Sequence, residues 1–337
     1  MEQLMVKVSI VMPCYNEVRY ISQCLDSIIA GNFPKDSLEL LIYDGGSTDG
    51  TLEILSEYKK RNPFLKVRRN PKKIQSVAMN LGIKEAKGEI IIRMDAHTLY
   101  NNDYISQVVN LLTNTDAVNV GGPQVGIGGS YVADSIAMAV SSPFVAGNAA
   151  YRFEKIKDRF VDTVYLGAWR KEDLLKAGSF DESFVVNEDY ELNYRIRAMG
   201  GKILLSPKIK SKYFVRGSFL NVIKQYFRYG FWKIKTLKKH SKSLALRQLA
   251  APAFVLALSL SIALLFTGYE YFLLGISAAY ILAFLLFAFK ALNIKELKYL
   301  PMFFVLAFSI HLSWGIGFWY GTIYWSFRYK NNRKGSS

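Results

Sequence analysis

Asp95 and His97 close the stretch Glu89-Ile-Ile-Ile-Arg-Met-Asp95-Ala-His97, a carboxylate and an imidazole one residue apart. Such a pair can share a divalent cation, the oxygen favouring Mg²⁺ or Mn²⁺ and the imidazole tilting the choice to Mn²⁺. The same triplet also reads as an Asp capping the next helix followed by an exposed His, and by itself it leaves both open. Glu188 and Asp189 form a second acidic pair, within Val186-Asn-Glu188-Asp189-Tyr-Glu191. They open a helix, and are either polar residues delivered to the sheet edge or acids favoured at a helix N-terminus by its dipole. Asp44 ends a third polar group, where its carboxylate can accept a hydrogen bond from a base N–H.

The elements around these residues alternate. Val6–Met12 is strand-like and runs into Pro13-Cys-Tyr15-Asn16-Glu17; Ile21, Cys24, Leu25, Ile28 and Ile29 then mark one helical face. Leu38–Tyr43 is a second strand ending at Asp44, followed by the turn Gly45-Gly-Ser-Thr-Asp-Gly50. Asp49 is placed to cap a helix over Thr51–Arg61. A short strand (Lys66–Arg68), a helix over Ile74–Ala86 and the apolar strand Ile90–Asp95 follow. This order implies a parallel α/β sheet with right-handed crossovers. In such sheets ligands bind beyond the carboxyl ends of the strands, and four strand ends are expected to deliver Pro13–Glu17, Asp44, Asp95–His97 and Glu188–Asp189 to one edge. Between Gly121 and Phe160 the pattern dissolves into Gly, Ser and Ala, which suggests a long active-site loop.

The last ninety residues are mostly hydrophobic. Leu249–Phe266, Tyr271–Phe289 and Tyr299–Phe327 each approach or exceed the roughly 20 apolar residues that cross a bilayer. The N-terminus lacks the pattern of a secretory signal. Cys14 and Cys24 have no metal-type spacing and read as free thiols in a reducing compartment. The formal charge is +16, and Lys202–Arg247 holds thirteen Lys and Arg with no Asp or Glu. Beside an apolar span, this belt suits an anionic cytoplasmic leaflet, at about 1 kcal/mol per basic residue that reaches it. Phe219, Ile223, Phe227, Phe231 and Ile234 recur within it at helical spacing, as in an amphipathic interfacial helix or a docked core helix. Nucleic-acid binding has only the belt in its favour. His311, inside the third span, reads as a neutral, hydrogen-bonded helix contact more readily than as a functional ion.

Taken together, these motifs resemble glycosyltransferase family 2, inverting transferases of the GT-A fold that use nucleotide sugars. Pro13-Cys-Tyr-Asn-Glu17 is similar to that family's Pro-x-Tyr-Asn-Glu. Tyr43-Asp44-Gly-Gly-Ser-Thr-Asp-Gly-Thr51 is similar to its Asp-Asp-Gly-Ser-Thr-Asp-Gly-Thr nucleotide loop. Ala78-Met-Asn80-Leu-Gly82 resembles the helix before the metal strand, and Gln225-Tyr-Phe-Arg228-Tyr229 the downstream Gln-x-x-Arg-Trp. The match covers about residues 6–240. Two departures stand out: Gly45 replaces the second loop Asp, so a uridine or ribose contact is missing or supplied elsewhere, and Asp95-Ala-His97 replaces Asp-x-Asp. Both, with Tyr165-Leu-Gly-Ala-Trp-Arg170 and Phe227-Arg-Tyr-Gly230, resemble the succinoglycan-type exopolysaccharide glucosyltransferase branch. Tyr229 in place of Trp, and only three spans, argue against a processive synthase.

The resemblance implies a GT-A, Rossmann-like, mostly parallel sheet over 1–215, then a basic connector at 216–248. Transmembrane helices would follow within 249–327 (about 249–267, 271–289 and 300–326), ending in a basic tail at 328–337. It assigns Asp189 as catalytic base and Glu188 as its orienting partner. Pro13, Tyr15, Asn16, Glu17, Asp44, Gly45, Asn80 and Asp95 would bind the donor, and Asp95 and His97 a divalent Mn²⁺ or Mg²⁺. Trp169, Gln225 and Arg228 would meet acceptor or pyrophosphate, with a core position as the alternative for Trp169. The expected reaction moves a sugar, glucose or a close relative, from a UDP-sugar to a polyprenyl-diphosphate-linked saccharide. It would take place at the cell membrane with the catalytic half cytoplasmic, and with no nucleic-acid partner. The alternatives are a polyprenyl-phosphate glycosyl synthase and a non-catalytic nucleotide-binding membrane scaffold. Three spans would leave the basic tail outside, against the positive-inside rule, unless the last segment is re-entrant or interfacial.

Overall fold

In the computed structural model, residues 7–147, 149–215, 217–292 and 294–334 are described; Val6 and residues 335–337 of the expected strand and tail lie outside them. The elements run β1 Val8–Cys14, α1 Ile21–Ile29, β2 Leu38–Asp44, α2 Thr51–Arg61, β3 Leu65–Arg69, α3 Gln75–Glu85, β4 Ile90–Arg93, β5 Thr98–Tyr100, α4 Tyr104–Asn114, β6 Ala117–Gly122 and β7 Val125–Ile127. They continue with α5 Tyr131–Ser141, α6 Pro143–Ala146, β8 Arg159–Phe160, β9 Tyr165–Arg170, α7 Lys171–Lys176, α8 Glu188–Ala198, β10 Lys202–Leu205 and β11 Ser211–Phe214. The last four are α9 Phe219–Lys239, α10 Ala250–Leu264, α11 Tyr271–Ala291 and α12 Leu300–Lys334. The chain divides into two compact units: residues 1–126 with 150–214, and residues 127–149 with 215–337.

The first unit is built on an eight-stranded sheet of order β3-β2-β1-β4-β9-β6-β10-β8. Its β3-β2-β1-β4 half is parallel throughout, as the βα alternation requires. Val8, Ile10, Met12, Leu40, Ile42 and Ile92 face one layer of helices, and Val11, Leu41 and Ile91 the other. Both faces being covered explains the unbroken apolar runs. The other half is mixed. Strand β9 runs antiparallel to both β4 and β6, and β8 runs antiparallel to β10, so the mostly parallel sheet expected from sequence holds for four of the seven strand pairings. Helix α1 buries Ile21, Cys24, Leu25 and Ile28, the face that periodicity marks, and Cys14 and Cys24 are free, buried thiols.

The second unit corrects the loop expected between Gly121 and Phe160. Residues 131–141 form α5, capped by Ser130 Oγ accepting from Ala133 N, with Ala133, Ile136, Ala139 and Val140 buried. Alanine and serine at apolar positions weaken the hydrophobic period without weakening the helix, because Ala has the highest helix propensity. Segment 127–149 therefore belongs with the C-terminal helices rather than with the sheet. Three helical stretches, Leu246–Leu264, Tyr271–Phe289 and Glu296–Arg328, are long and apolar enough to cross a membrane. The last is no re-entrant loop: α12 is one unbroken helix of 35 residues.

Helix α9 packs along α12, and its apolar stripe is the reason. Phe231 lies 5.4 Å from the Trp325 ring and accepts a hydrogen bond from Trp325 Nε1, while Phe227 lies 5.9 Å from Tyr320. Glycines let the backbones touch, since a Cβ on Gly317 would overlap the Phe227 carbonyl and one on Gly230 the Trp314 carbonyl. The Phe227, Phe231 and Ile234 part of the stripe thus faces α12. His311 Nε2 donates to the Phe144 carbonyl at 3.1 Å, and its Nδ1 accepts from Tyr280 Oη at 2.9 Å. It is a helix-contact histidine.

Candidate active site

All of the site described here lies within the first unit. The loop after β1 and the loop after β2 are sewn together by short side chains. Asn16 N donates to Ser47 Oγ and Thr48 N to Asn16 Oδ1; Glu17 N donates to Thr51 Oγ1 and Val18 N to Asp49 Oδ2. Asn16 adopts φ 55°, a left-handed conformation that Asn tolerates better than most residues. Asp49 accepts from Thr51 N and Oγ1 instead of acting as the helix cap, a position that Gly50 takes.

Asp44 is spent in the same way. Its Oδ1 accepts from Gly46 N at 2.8 Å and Ser47 N at 2.9 Å, its Oδ2 from Ser47 Oγ at 2.5 Å, and it is 3% exposed. Gly45 lies under the Tyr15 ring, where an added Cβ would stand 3.2 Å from Cδ2. The missing loop carboxylate therefore makes room for Tyr15, itself half exposed and carrying Lys73 Nζ 5.3 Å from its ring centre.

These loops border a cleft of about 190 Å³ lined by Pro13, Cys14, Tyr15, Glu17, Gly45, Asn70, Lys73, Gln75, Asp95, Ala96 and His97. Asp95 and His97 both reach it from the turn that follows β4. His97 Nδ1 sits 3.1 Å from Glu17 Oε1. That contact sets the ring's orientation and leaves the lone pair of Nε2 for a cation, the arrangement in which a carboxylate backs a metal-binding imidazole. Among the described residues no group of three His, Cys, Asp or Glu assembles a full cage. The donor set Asp95 and His97 fits a cation that completes its shell from phosphate and water oxygens.

Behind Asp95 runs an ion network that spacing alone did not reveal. Arg93 Nε lies 3.3 Å from Asp95 Oδ1 and its Nη1 3.4 Å from Glu188 Oε1, with side-chain exposures of 11%, 14% and 7%. Burial opposes the Arg93 charge, but Asp95, Glu188 and Asp189 more than offset it and hold the guanidinium firmly protonated. Glu188 is pushed up to about 7, by burial first and by the Asp189 charge next, with Arg93 pulling the other way. The signal for Arg93 was its position: two residues before Asp95, it shares that residue's strand face.

Glu188 and Asp189 come not from a strand end but from the first turn of α8, entered through Asn187 at φ 64°. Asp189 is the more open of the two, and its Oδ1 accepts from Tyr190 N at 2.7 Å. Glu191, the third acid of the cluster, is bound twice by Arg195 Nε at 3.0 Å and is structural.

Four residues expected at the site are elsewhere. Asn80 is a clamp, donating to the Phe180 carbonyl at 2.8 Å and accepting from Phe180 N at 3.0 Å, so its amide holds the approach to α8 instead of a donor. Trp169 is 2% exposed on β9, edge-on to Phe180 at 5.8 Å, and packs in the core; no sugar can stack on it there. Gln225 and Arg228 lie on α9 of the second unit, where Gln225 Nε2 donates to Tyr229 Oη.

Glu188 carries a consequence for stability. The folded protein holds its proton up to about pH 7, whereas an unfolded chain releases it near 4.5, so folding takes up a proton in this window. Stability should fall as pH rises through it, by up to about 1.4 kcal/mol per unit. Thermal unfolding of the detergent-solubilised chain should show a steeper decline across this window in wild type than in Glu188→Gln. Equal slopes would contradict the burial of an ionisable Glu188.

A Rossmann-like mixed sheet, with nucleotide-type loops after β1 and β2 and an acid–imidazole pair after β4, is the frame of a GT-A nucleotide-sugar transferase. The chain belongs to glycosyltransferase family 2 and is a glycosyltransferase. The model of that family, Glycosyl transferase family 2, matches residues 9–171. The succinoglycan biosynthesis protein ExoA of Rhizobium meliloti is 32% identical over 315 residues, covering 92% of this chain and 93% of its own. A Methanococcus voltae enzyme named dolichyl N-acetyl-alpha-D-glucosaminyl phosphate 3-beta-D-2,3-diacetamido-2,3-dideoxy-beta-D-glucuronosyltransferase is 31% identical over 242 residues, 69% of this chain and 74% of its own. Among solved structures, the mannosyltransferase PcManGT of Pyrobaculum calidifontis, in complex with GDP-Man and Mn²⁺, superposes with a TM-score of 0.56 at 20% identity, covering 94% of this chain and 85% of that one. That likeness is one of fold.

Proposed function

We propose that the protein is a membrane-anchored inverting glycosyltransferase that moves a sugar, glucose or a close relative, from a UDP-sugar to a polyprenyl-diphosphate-linked saccharide. The observation that carries this reading is the cleft in which Glu17 orients His97 beside Asp95, with Arg93 tying Asp95 to Glu188. The two related proteins named above support the product class: one is named for succinoglycan biosynthesis, the other for a dolichyl-phosphate-linked acceptor. Three apolar helices support a location at the bilayer that holds such acceptors.

In this reading Asp95 and His97 hold Mn²⁺ or Mg²⁺, which when bound stabilises the negative charge growing on the departing diphosphate. Tyr15 and Lys73 flank the cleft mouth. Asp189 takes the proton of the acceptor hydroxyl on the face opposite the leaving group. Glu188, protonated over part of the neutral range, donates or accepts a hydrogen bond beside Asp189 without adding a full second charge. Arg93 keeps Asp95 and Glu188 in register. The basic residues of α9 suit the anionic headgroups of a bilayer surface.

Membranes carrying the protein, incubated with radiolabelled UDP-sugars and polyprenyl-diphosphate saccharides, should form a labelled lipid product with one donor. Label transferred instead to polyprenyl phosphate itself, giving an acid-labile phosphate sugar, would assign the protein as a polyprenyl-phosphate glycosyl synthase. No transfer with any donor, although nucleotide still binds, would favour a scaffold. For the cation, Asp95→Asn should raise the Mn²⁺ concentration needed for donor binding, and Glu17→Gln should weaken cation affinity about 10–100-fold through His97. Direct Mn²⁺ titration by electron paramagnetic resonance reads both, and an unchanged affinity in the two variants would rule out this site.

A further inference from the structure

We propose that only the α10–α11 hairpin crosses the bilayer, and that α12 lies with α9 in the headgroup region of the leaflet on the α9 side, against anionic lipid. The inference rests on the membrane location proposed above and not on the reaction. Helix α9 carries Lys224, Arg228, Lys233, Lys235, Lys238 and Lys239 and no acid over its 21 residues. Lys233 is buried and donates to the Ser243 carbonyl at 2.8 Å, while the other five reach the surface. A basic side chain held in the middle of the hydrocarbon is costly, so a helix with this many does not cross it.

Helix α12 is tied to α9 over its C-terminal half. Phe227 meets Gly317 and Tyr320, and Phe231 meets Gly321, Tyr324 and Trp325, so the two helices run side by side in the same direction. Lys235 Nζ lies 5.0 Å from the Trp232 ring and 5.4 Å from that of Trp325, and the Arg328 guanidinium 5.8 Å from Trp325. Residues 314–328 therefore share the depth of α9. The rest of α12, Leu300–Ser313, reaches about 21 Å as a helix, short of the roughly 30 Å hydrocarbon core. Its contacts with the hairpin agree with this. Phe308 packs on Phe254 and Tyr280, Phe303 packs on Phe284, and Trp319 Nε1 donates to the Pro252 carbonyl, all away from the hairpin tip. At the tip, Leu260, Tyr269, Tyr271 and Leu274 are about half exposed or more.

The two arms of the hairpin suit a crossing: Leu246–Leu264 and Tyr271–Phe289 are 19 residues each, with mean hydropathy 1.6 and 2.4. What α12 offers is different. Ile316, Trp319, Tyr320, Ile323, Tyr324 and Phe327 are exposed at three- and four-residue spacing, one helical face rich in the Trp and Tyr that gather at membrane interfaces. Such a face beside a row of cations is the make-up of a helix pair lying on an anionic leaflet. Two crossings also bring Lys290–Lys298 and the four basic residues of Arg328–Lys334 to the α9 side, as the positive-inside rule requires.

Single cysteines read by a membrane-impermeant maleimide test this, in intact cells producing the full chain and in inverted vesicles, with the wild-type chain as the blank for Cys14 and Cys24. Ser241→Cys marks the α9 side, Tyr269→Cys the hairpin tip and Ser337→Cys the tail. Tyr269→Cys should label in intact cells, and Ser241→Cys and Ser337→Cys only in inverted vesicles. Labelling of Ser337→Cys in intact cells would mean that α12 crosses, and loss of label on Tyr269→Cys there that the hairpin does not; either overturns the proposal. A second reading needs no variant, because Trp232, Trp314, Trp319 and Trp325 all lie on α9 and α12. In proteoliposomes, lipids brominated near the headgroup should quench tryptophan fluorescence more than lipids brominated at the chain end, and the reverse order overturns the proposal. At equal content, brominated phosphatidylglycerol should quench more than brominated phosphatidylcholine, and equal quenching overturns the anionic surface. Release of the chain from membranes by alkaline carbonate would remove the membrane location itself, a result distinct from a different topology.

Discussion

Asp189→Asn is expected to lower transfer by roughly 10²–10⁴-fold while leaving nucleotide-sugar binding in place. The amide is nearly the same shape as the carboxylate and can still accept from Tyr190 N, so the first turn of α8 should hold. What it loses is basicity, and only the step that deprotonates the acceptor needs that. The expected signature is a fall in kcat with donor affinity unchanged, read by transfer assays alongside titration calorimetry. Full activity in Asp189→Asn would end the assignment and move attention to Glu188, the other acid of the pair. Glu188 is the poorer base by position: it is buried, and it faces Arg93 rather than solvent.

Arg93→Met should cost about 3–5 kcal/mol of stability, the range for removing one partner of a buried ion pair. Two carboxylates depend on this guanidinium, and both are largely shielded from water. Methionine fills much of the volume, so the loss would come from charge and not from a cavity. Part of it should be relieved by Glu188, whose proton affinity rises further once Arg93 no longer opposes the effect of burial. The expectation is therefore the lower half of that range near neutral pH and a larger loss at alkaline pH, where Glu188 must ionise. Arg93→Lys keeps the charge without the fork and should fall between. Thermal unfolding at two pH values separates these cases. A variant as stable as wild type at both would show that Arg93 does not neutralise the acids.

Much of the scaffold was legible in the amino-acid order because its causes are local. The parallel half of the sheet follows from Ile, Val and Leu runs alternating with helical faces, and Asp95 and His97 reach the cleft because the chain turns directly beyond the end of β4. The reach of the C-terminal helices follows from their uncharged length. The antiparallel course of β9 was not legible, since its direction is set by pairing with β4 and β6 and not by its own residues. Nor was α5, where Ala and Ser thin the hydrophobic signal that a helix normally carries.

Composition and spacing alone thus determined the chemical inventory: which acids, imidazole and loops end the strands, and which segments suit a membrane. Only the tertiary structure decided which of those groups face the cleft and which brace it. Glu17 meets His97 across 80 residues and Arg93 meets Glu188 across 95, and no local period encodes such distances. Asn80, Asp44 and Asn16 carry the right chemistry for ligands, yet they satisfy backbone groups, Asp44 in its own loop, Asn16 in the loop after β2 and Asn80 at Phe180. A buried backbone N–H or carbonyl must find a partner wherever the chain turns, and in this protein the polar side chains nearest the turns supply it. Those left to the cleft are the ones the turns did not use.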